Sequence, residues 1–217
     1  MTVERAPTRE VFVEDAIGWL KARAPVAGAS VLTSMPDETD LFTVERSAWE
    51  RWFVDAAELC VRAADSQGLA IFFQTDTKGG GRWLDKAALV REGAVRAGAR
   101  CVFHWIALGD ERAPRSRAGY SHVLGYSVEA TLDLAAPMRD VIAPGDSTWT
   151  RGMSVTACRA ACEAIVALTP TRTVIDPFCG HGTALAVANA LGLDAIGVEY
   201  ARRRAKRARS LTVSLDP

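Results

Sequence analysis

The chain lacks most of the features that would take it out of the ordinary globular class. Only five of its 217 residues are cysteines, Cys60, Cys101, Cys158, Cys162 and Cys179. Their number is odd and no Cys-x-x-Cys pair occurs, which argues against a disulfide framework or a zinc site, so no metal is expected. Cys158 and Cys162 lie four apart on an expected helix and read as core residues. No uninterrupted apolar run approaches the roughly 20 residues of a membrane span. The opening Met-Thr-Val-Glu-Arg-Ala-Pro lacks the basic-then-apolar order of a signal peptide, so a cytoplasmic protein is expected. No charge is in excess: 26 basic and 26 acidic side chains give a formal net charge of zero. That removes support for a broad nucleic-acid surface and leaves only local patches. Two nucleotide-binding strings are missing as well. There is no Gly-Lys-Ser/Thr of a P-loop, and the third glycine of a G-x-G-x-x-G string is Leu185.

What is present is enough for a core. Apolar residues make up 49% and charged residues 24% of the chain. At this length those proportions suit one globular α/β domain.

The most informative stretch lies late, at residues 173–199. The run 173–175 reads as a short buried strand, ending on Asp176. Pro177, Phe178, Cys179, Gly180, His181 and Gly182 form a glycine-rich turn, and an Ala/Leu-rich helix follows over 184–191. Glycine permits a sharp turn and a close approach of ligand to backbone. A carboxylate at a strand end can accept from a ligand amine or hydroxyl. Gly192 closes the helix. A second strand over 195–198 ends on Glu199, and an acid at that position commonly holds a ribose diol.

This pairing resembles motifs I and II of the class I S-adenosylmethionine (SAM) methyltransferases. The string Asp-Pro-Phe-Cys-Gly-x-Gly-Thr is most similar to the amino-methyltransferases of nucleic-acid bases. The resemblance implies SAM as cofactor, held by Asp176, Pro177, Phe178, Cys179, Gly180, Gly182, Thr183 and the ribose acid Glu199. Thr148 and Arg151, in the polar segment before the expected helix 154–168, correspond by position to motif X and the methionine end.

An earlier stretch matches a second motif. The strand 29–33 runs into Ser34-Met35-Pro36-Asp37, similar to motif IV, (Asp/Asn/Ser)-Pro-Pro-aromatic. The resemblance implies that Ser34, Pro36 and the neighbouring carbonyls orient a target amino group. Met35 replaces the first proline and Asp37 the aromatic platform, which puts ordinary base-flipping DNA chemistry in doubt. Asp37 could instead take a proton or hold a cationic amine. Read without the resemblance, the stretch is an acidic turn before a helix. Motif IV precedes motif I, the circularly permuted order of some amino-methyltransferases. Ser-x-Pro-Asp at 34–37, Trp-x-Asp-Lys at 83–86 and Tyr-Ser-His at 120–122 also resemble elements of a permuted methyltransferase group.

The rest of the chain reads in order. Residues 1–10 form a loose arm, and helical spacing covers 10–22. A long amphipathic helix covers 47–64, opened by a Ser47–Glu50 capping box. The apolar strand 69–74 breaks into a glycine-rich loop that suggests mobility. There Lys78, Arg82 and Trp83 are candidates to meet a phosphate or flat ring, with Asp76 a further substrate-binding candidate, against the alternative of a plain surface turn. A helix follows over 84–97. Strands 101–108 and 121–129, joined by an arginine-bearing loop, form an antiparallel edge hairpin. His104 reads as a core histidine, whereas His122 is a candidate to face the site. Residues 130–150 are irregular and too few for a recognition domain, which leans away from a restriction-type DNA enzyme.

Residues 201–210 form a basic helix, either simply solvated or an RNA-contacting face. Residues 211–215 are the only remaining chain for a third strand, with Asp216 at its tip as the adenine contact.

The expected fold is therefore a single doubly wound, Rossmann-like α/β domain over 1–217, mostly parallel, with an antiparallel edge hairpin. Its acceptor half is 29–129 and its SAM half 146–217. The implied activity is SAM-dependent N-methylation of a nucleobase amino group in structured RNA. A small amine-bearing metabolite is the alternative acceptor, and a non-catalytic SAM-binding protein the alternative of another class. No membrane partner is expected, and the oligomeric state is open.

Overall fold

The computed structural model describes residues 5–41, 45–79, 81–109, 116–131, 140–150 and 152–215. The apolar runs become the centre of one eight-stranded sheet. Its strands are β1 (Arg9–Phe12), β2 (Ala29–Thr33), β3 (Ala70–Gln74), β6 (Arg100–Leu108), β7 (Tyr120–Ser127), β8 (Val141–Ile142), β9 (Thr173–Asp176) and β10 (Asp194–Val198). They lie in the order β1-β10-β9-β2-β3-β7-β6-β8. The block from β1 to β3 is parallel, and β7 runs antiparallel to both β3 and β6. β2 and β9 sit at the middle and are buried on both faces. That explains why adjacent residues, Val31–Leu32 and Val174–Ile175, are both apolar rather than alternating with polar ones.

Helices cover both faces. α1 (Ala16–Arg23), α2 (Arg46–Ala63) and α3 (Lys86–Arg96) pack with Val31, Ala70 and Phe72 into one core. α4 (Val155–Leu168), α5 (Thr183–Ala190) and α6 (Arg202–Ser210) pack with Leu32, Ile71 and Val174 into the other. Successive strand residues point to opposite faces, so neighbours such as Val31 and Leu32 serve different cores. Trp49, Phe53, Ala57 and Cys60 recur along α2 at helical spacing and are fully buried. Three helices start on side-chain caps: Asp15 accepts from Gly18 N, Asp85 from Ala88 N and Ser154 from Ala157 N. Each cap satisfies a backbone donor that the first helical turn leaves open.

Several expectations are corrected. The expected loose arm and the helix from 10 are instead strand β1 followed by α1. β1 pairs in parallel with β10, from Arg9 opposite Ala195 to Phe12 opposite Val198. The N-terminal segment thus supplies the third strand that 211–215 was expected to form, and 211–215 forms none. Asp216 lies outside the described residues. α2 begins after Glu45 without a side-chain cap, so the Ser47–Glu50 box does not form. The glycine-rich loop after β3 contains a small antiparallel hairpin, β4 (Thr77–Gly79) and β5 (Arg82–Leu84). The irregular region before α4 contributes β8, paired in parallel with β6.

Candidate functional site

The glycine turn forms where β9 ends and α5 begins. Gly180 and Gly182 have φ of 54° and 85°, a region that L side chains rarely adopt. A Cβ on Gly182 would lie 2.8 Å from the Cα of Ala208, so α6 packs directly on this glycine. The Cys179 N–H donates to the Val198 carbonyl at 3.0 Å, tying the turn to β10. Asp176 is buried, and its Oδ1 accepts from Thr33 Oγ1 at 2.7 Å and from Phe178 N at 3.1 Å. Burial pushes its pKa up to about 7, with the charge of Glu199 adding to the rise and the two hydrogen bonds opposing it. At the tip of β10, Glu199 Oε1 accepts from Ala201 N at 2.7 Å and from Arg204 Nε at 3.1 Å. Tyr200, next in sequence, is 80% exposed.

The segment before α4 reaches the same turn. The hydroxyls of Thr148 and Thr183 are hydrogen-bonded to each other. Trp149 stacks on His181, with ring centroids 4.4 Å apart and planes 26° apart. Its indole also covers Gly180, where a Cβ would come within 2.9 Å of the ring. Arg151 falls outside the described residues. His181 Nδ1 is buried without a hydrogen-bond partner among the described residues. Burial and the nearby Arg207 and Arg204 lower the pKa of this imidazole.

β2 lies beside β9, so the turn after it stands next to the glycine loop. The bond from Thr33 Oγ1 to Asp176 joins the two strand ends. In the turn, Met35 is buried while Ser34 and Pro36 are half-buried. Asp37 is the N-cap of a 3-10 turn, Glu38–Asp40. Its two oxygens are both engaged, Oδ1 by Lys86 Nζ and Oδ2 by Arg117 at 2.8 Å. Lys86 is 2% exposed. A buried ammonium needs such a partner, because leaving it unpaired costs several kcal/mol.

Asp76, at the end of β3, organises the rest. Its carboxylate accepts from Lys86 N at 2.9 Å and Trp83 Nε1 at 2.8 Å, and it lies 3.2 Å from His122 Nε2. His122 Nδ1 lies 2.9 Å from His104 Nε2. His104 is exposed, not the core histidine expected from the apolar run around it. Lys78 sits 4.5 Å from the centroid of the Trp83 ring. The elements 34–37, 83–86 and 120–122, far apart in the chain, are thereby joined through Asp37, Lys86, Asp76 and His122. Asp76 emerges as an anchor whose oxygens are saturated from within the protein. Trp149, His181, Tyr200, His104 and Arg117 were not among the expected site residues. An aromatic in the otherwise polar segment 146–152 was the available signal for Trp149, and Tyr200 directly follows Glu199.

In the basic helix, Ala205 and Ala208 face inward. Arg204 pairs with Glu199 and Arg209 donates to the Val11 carbonyl, so two of its cations serve the fold. No described helix is long and apolar enough to cross a membrane. No group of three or more His, Cys, Asp or Glu among the described residues is placed to hold a metal.

No protein-family profile matches the chain, and no curated protein matches it in sequence. Solved structures do match. TTHA0409 from Thermus thermophilus, assigned as a DNA modification methylase and complexed with SAM, superposes with a TM-score of 0.69. It is 19% identical, over 93% of this chain and 91% of that one. The PvuII DNA methyltransferase, cytosine-N4-specific, gives a TM-score of 0.71 at 13% identity, over 97% of this chain and 89% of that one. M1.HpyAVI in complex with SAM gives 0.63 at 13% identity, over 93% and 97%. The fold is a Rossmann-like methyltransferase fold, as expected from the sequence.

Proposed function

We propose that this protein is a SAM-dependent methyltransferase of circularly permuted motif order that methylates an amino group of a nucleobase. The observation that carries the reading is the joining of two motifs at the centre of the sheet. The glycine turn after β9 and the Ser34–Met35–Pro36–Asp37 turn after β2 are adjacent, linked by the 2.7 Å bond from Thr33 to Asp176. That is the crevice at the carboxyl ends of central strands where ligands of open α/β sheets bind.

The residues present fit the cofactor. Gly180 and Gly182 supply the left-handed turns that shape the loop, and His181 offers a buried nitrogen with no partner among the described residues. The hydrogen bonds described for Asp176 and Glu199 each fall on a single oxygen. The second oxygens suit a cationic amine and a ribose diol. Tyr200 presents an exposed ring beside Glu199 for an adenine. Thr148 and Arg151 remain the proposed contacts near the methionine end, with Trp149 over the loop. When bound, SAM supplies a methyl group on a sulfonium, and transfer is an in-line displacement governed by alignment.

Ser34, Pro36 and their carbonyls orient the acceptor nitrogen. Asp37 has both oxygens occupied by cations, so its role is to fix the turn and to set the charge at the mouth. Lys86 and Arg117 together outweigh its single negative charge. Lys78 and Arg82 on the β4–β5 hairpin are the cations suited to a phosphate-bearing acceptor, while Glu38 and Asp40 keep the turn after β2 acidic. The solved neighbours include DNA methylases by name, which favours DNA over the RNA acceptor expected from the sequence.

Labelled methyl transfer from SAM is the direct test, with DNA, RNA and a small-molecule extract as acceptors. Label removed by deoxyribonuclease is expected. Label confined to the small-molecule fraction, or SAM binding without transfer, contradicts the reading. Asp37→Asn keeps an oxygen for Lys86 and removes the charge. It is expected to leave SAM binding within about two-fold and to lower turnover at least about ten-fold. It should also cost about 1–3 kcal/mol in urea unfolding, through the weakened partner of Lys86.

A further inference from the structure

A cavity of about 600 Å³ opens between α3 and the β6–β7 hairpin, away from the glycine loop. Asp76, Trp83, Arg91, His104, Tyr120 and His122 line it. Its polar wall is built rather than incidental. Asp76 is 2% exposed and His122 8% exposed.

The hydrogen-bond chain assigns the protons. The Asp76 carboxylate accepts from Lys86 N and Trp83 Nε1, and His122 Nε2 is placed to donate to it in the same way across the 3.2 Å contact. In the neutral tautomer of His122 that donates from Nε2, Nδ1 accepts the Nε2 hydrogen of His104 across 2.9 Å. His104 Nδ1 is left as a free lone pair on an exposed ring. Burial is the main cause that lowers the pKa of His104, which favours its neutral form. Around that acceptor stand the Arg91 guanidinium, which only donates, and two aromatic walls. Tyr120 meets His122 edge-on with centroids 5.3 Å apart. Trp83 is 51% exposed, with Lys78 at its ring.

We propose that this cavity binds an unpaired nucleobase bearing an amino group, adenine or cytosine, from the same strand that carries the methyl acceptor. The amino group donates to His104 Nδ1, Arg91 donates to the adjacent ring nitrogen, and Trp83 and Tyr120 supply the flat contacts. Lys78 and Arg82 on the hairpin hold the connecting phosphates. The volume suits a nucleoside-sized ligand. Uracil and thymine place a carbonyl where the amino group would be and meet the lone pair of His104 unfavourably. This deepens the nucleobase reading above by adding a second base-recognition point beyond the Ser34 turn. It makes single-stranded or locally opened nucleic acid the substrate class.

Fluorescence anisotropy with short oligo(dA), oligo(dC), oligo(dT) and oligo(rA), and with the dA·dT duplex, tests it on the full chain. Oligo(dA) and oligo(dC) are expected to bind about ten-fold or more tighter than oligo(dT) and than the duplex. Whichever of oligo(dA) and oligo(rA) binds tighter identifies DNA or RNA as the source, and either agrees with the proposal. His104→Leu is expected to erase the preference over oligo(dT), and His104→Gln, which keeps an acceptor, to retain part of it. Trp83→Ala is expected to weaken all oligomers about ten-fold, while Trp83→Phe restores most of the loss. SAM affinity, measured separately, is expected to be unchanged in the His104 variants. Equal affinity for all oligomers, or a preference that survives His104→Leu, overturns the cavity proposal and leaves the methyltransferase reading standing. Loss of SAM binding in the wild type sinks the methyltransferase reading, whereas the base preference is scored without SAM.

Discussion

Asp176→Asn is expected to make the ligand-free protein more stable at pH 8 and to abolish SAM binding. In an unfolded chain this carboxyl titrates near 4, whereas burial at the end of β9 pushes it up to about 7. Between these pH values the folded protein holds a proton that the unfolded chain has lost. Stability from this group is therefore fully present below about pH 4. It declines as pH rises and is lost above about pH 7. Asparagine is isosteric, still accepts from Thr33 Oγ1 and Phe178 N through its oxygen, and carries no charge to bury. Urea unfolding should show the variant about 2–4 kcal/mol more stable than wild type at pH 8, about 1 kcal/mol more stable at pH 5, and close to it below about pH 4. Calorimetric titration with SAM should show binding weakened at least about 100-fold, because the buried anion that balances a ligand ammonium is gone. A variant that gains no stability at pH 8 would mean that the wild-type carboxyl is not buried and ionised there. Unimpaired SAM binding would remove Asp176 from the cofactor site.

Gly182→Ala is the second large effect, and it separates conformation from packing. The added Cβ would stand 2.8 Å from Ala208 Cα and 3.1 Å from its carbonyl oxygen, on a backbone with φ of 85°. Conformational strain in this left-handed region costs about 1–2 kcal/mol. The collision is with backbone of α6, so relief requires moving the helix that begins just beyond Glu199. Unfolding measurements should show a loss of about 2–4 kcal/mol, together with loss of SAM binding. Gly192→Ala is the control. Gly192 has φ of 79° but open space around a Cβ. It should cost about 1 kcal/mol and spare binding. Equal costs at the two sites would show that α6 does not press on the turn.

The local signals that proved readable were those that need no distant partner. The strand 29–33 coincides with β2, and Gly182 opens α5 as the glycine-rich turn foretold. Ser154 caps α4 one residue ahead of its first turn. Both central strands carry β-branched and apolar centres, Val31–Leu32 and Val174–Ile175, buried on both faces, and each ends at a polar residue that marks its boundary.

The misread elements depend on partners remote in sequence. β1 is four residues, Arg-Glu-Val-Phe, with no strand pattern of its own. It extends because β10, far along the chain, offers an open edge. Arg9 then donates to the Ala208 and Leu211 carbonyls beyond α6. The run around His104 reads as a buried strand, yet β6 is covered on only one face there. Val102, Phe103 and Trp105 enter the core while His104 turns to the cavity. A period-2 pattern blurred by the register shift at Cys101/Phe103 conceals that exposure.

The order of residues was thus sufficient for the doubly wound α/β class, the glycine turn, the acids at the ends of β9 and β10 and the Ser-x-Pro-Asp turn. Each of these rests on local residue chemistry. Folding was needed to set β9 and β2 side by side and to let β1 complete the sheet. It also brought Lys86 to neutralise Asp37 and linked Asp76, His122 and His104 into one chain. Those are pairings across the sheet, selected by burial and register among groups that no spacing in the sequence relates.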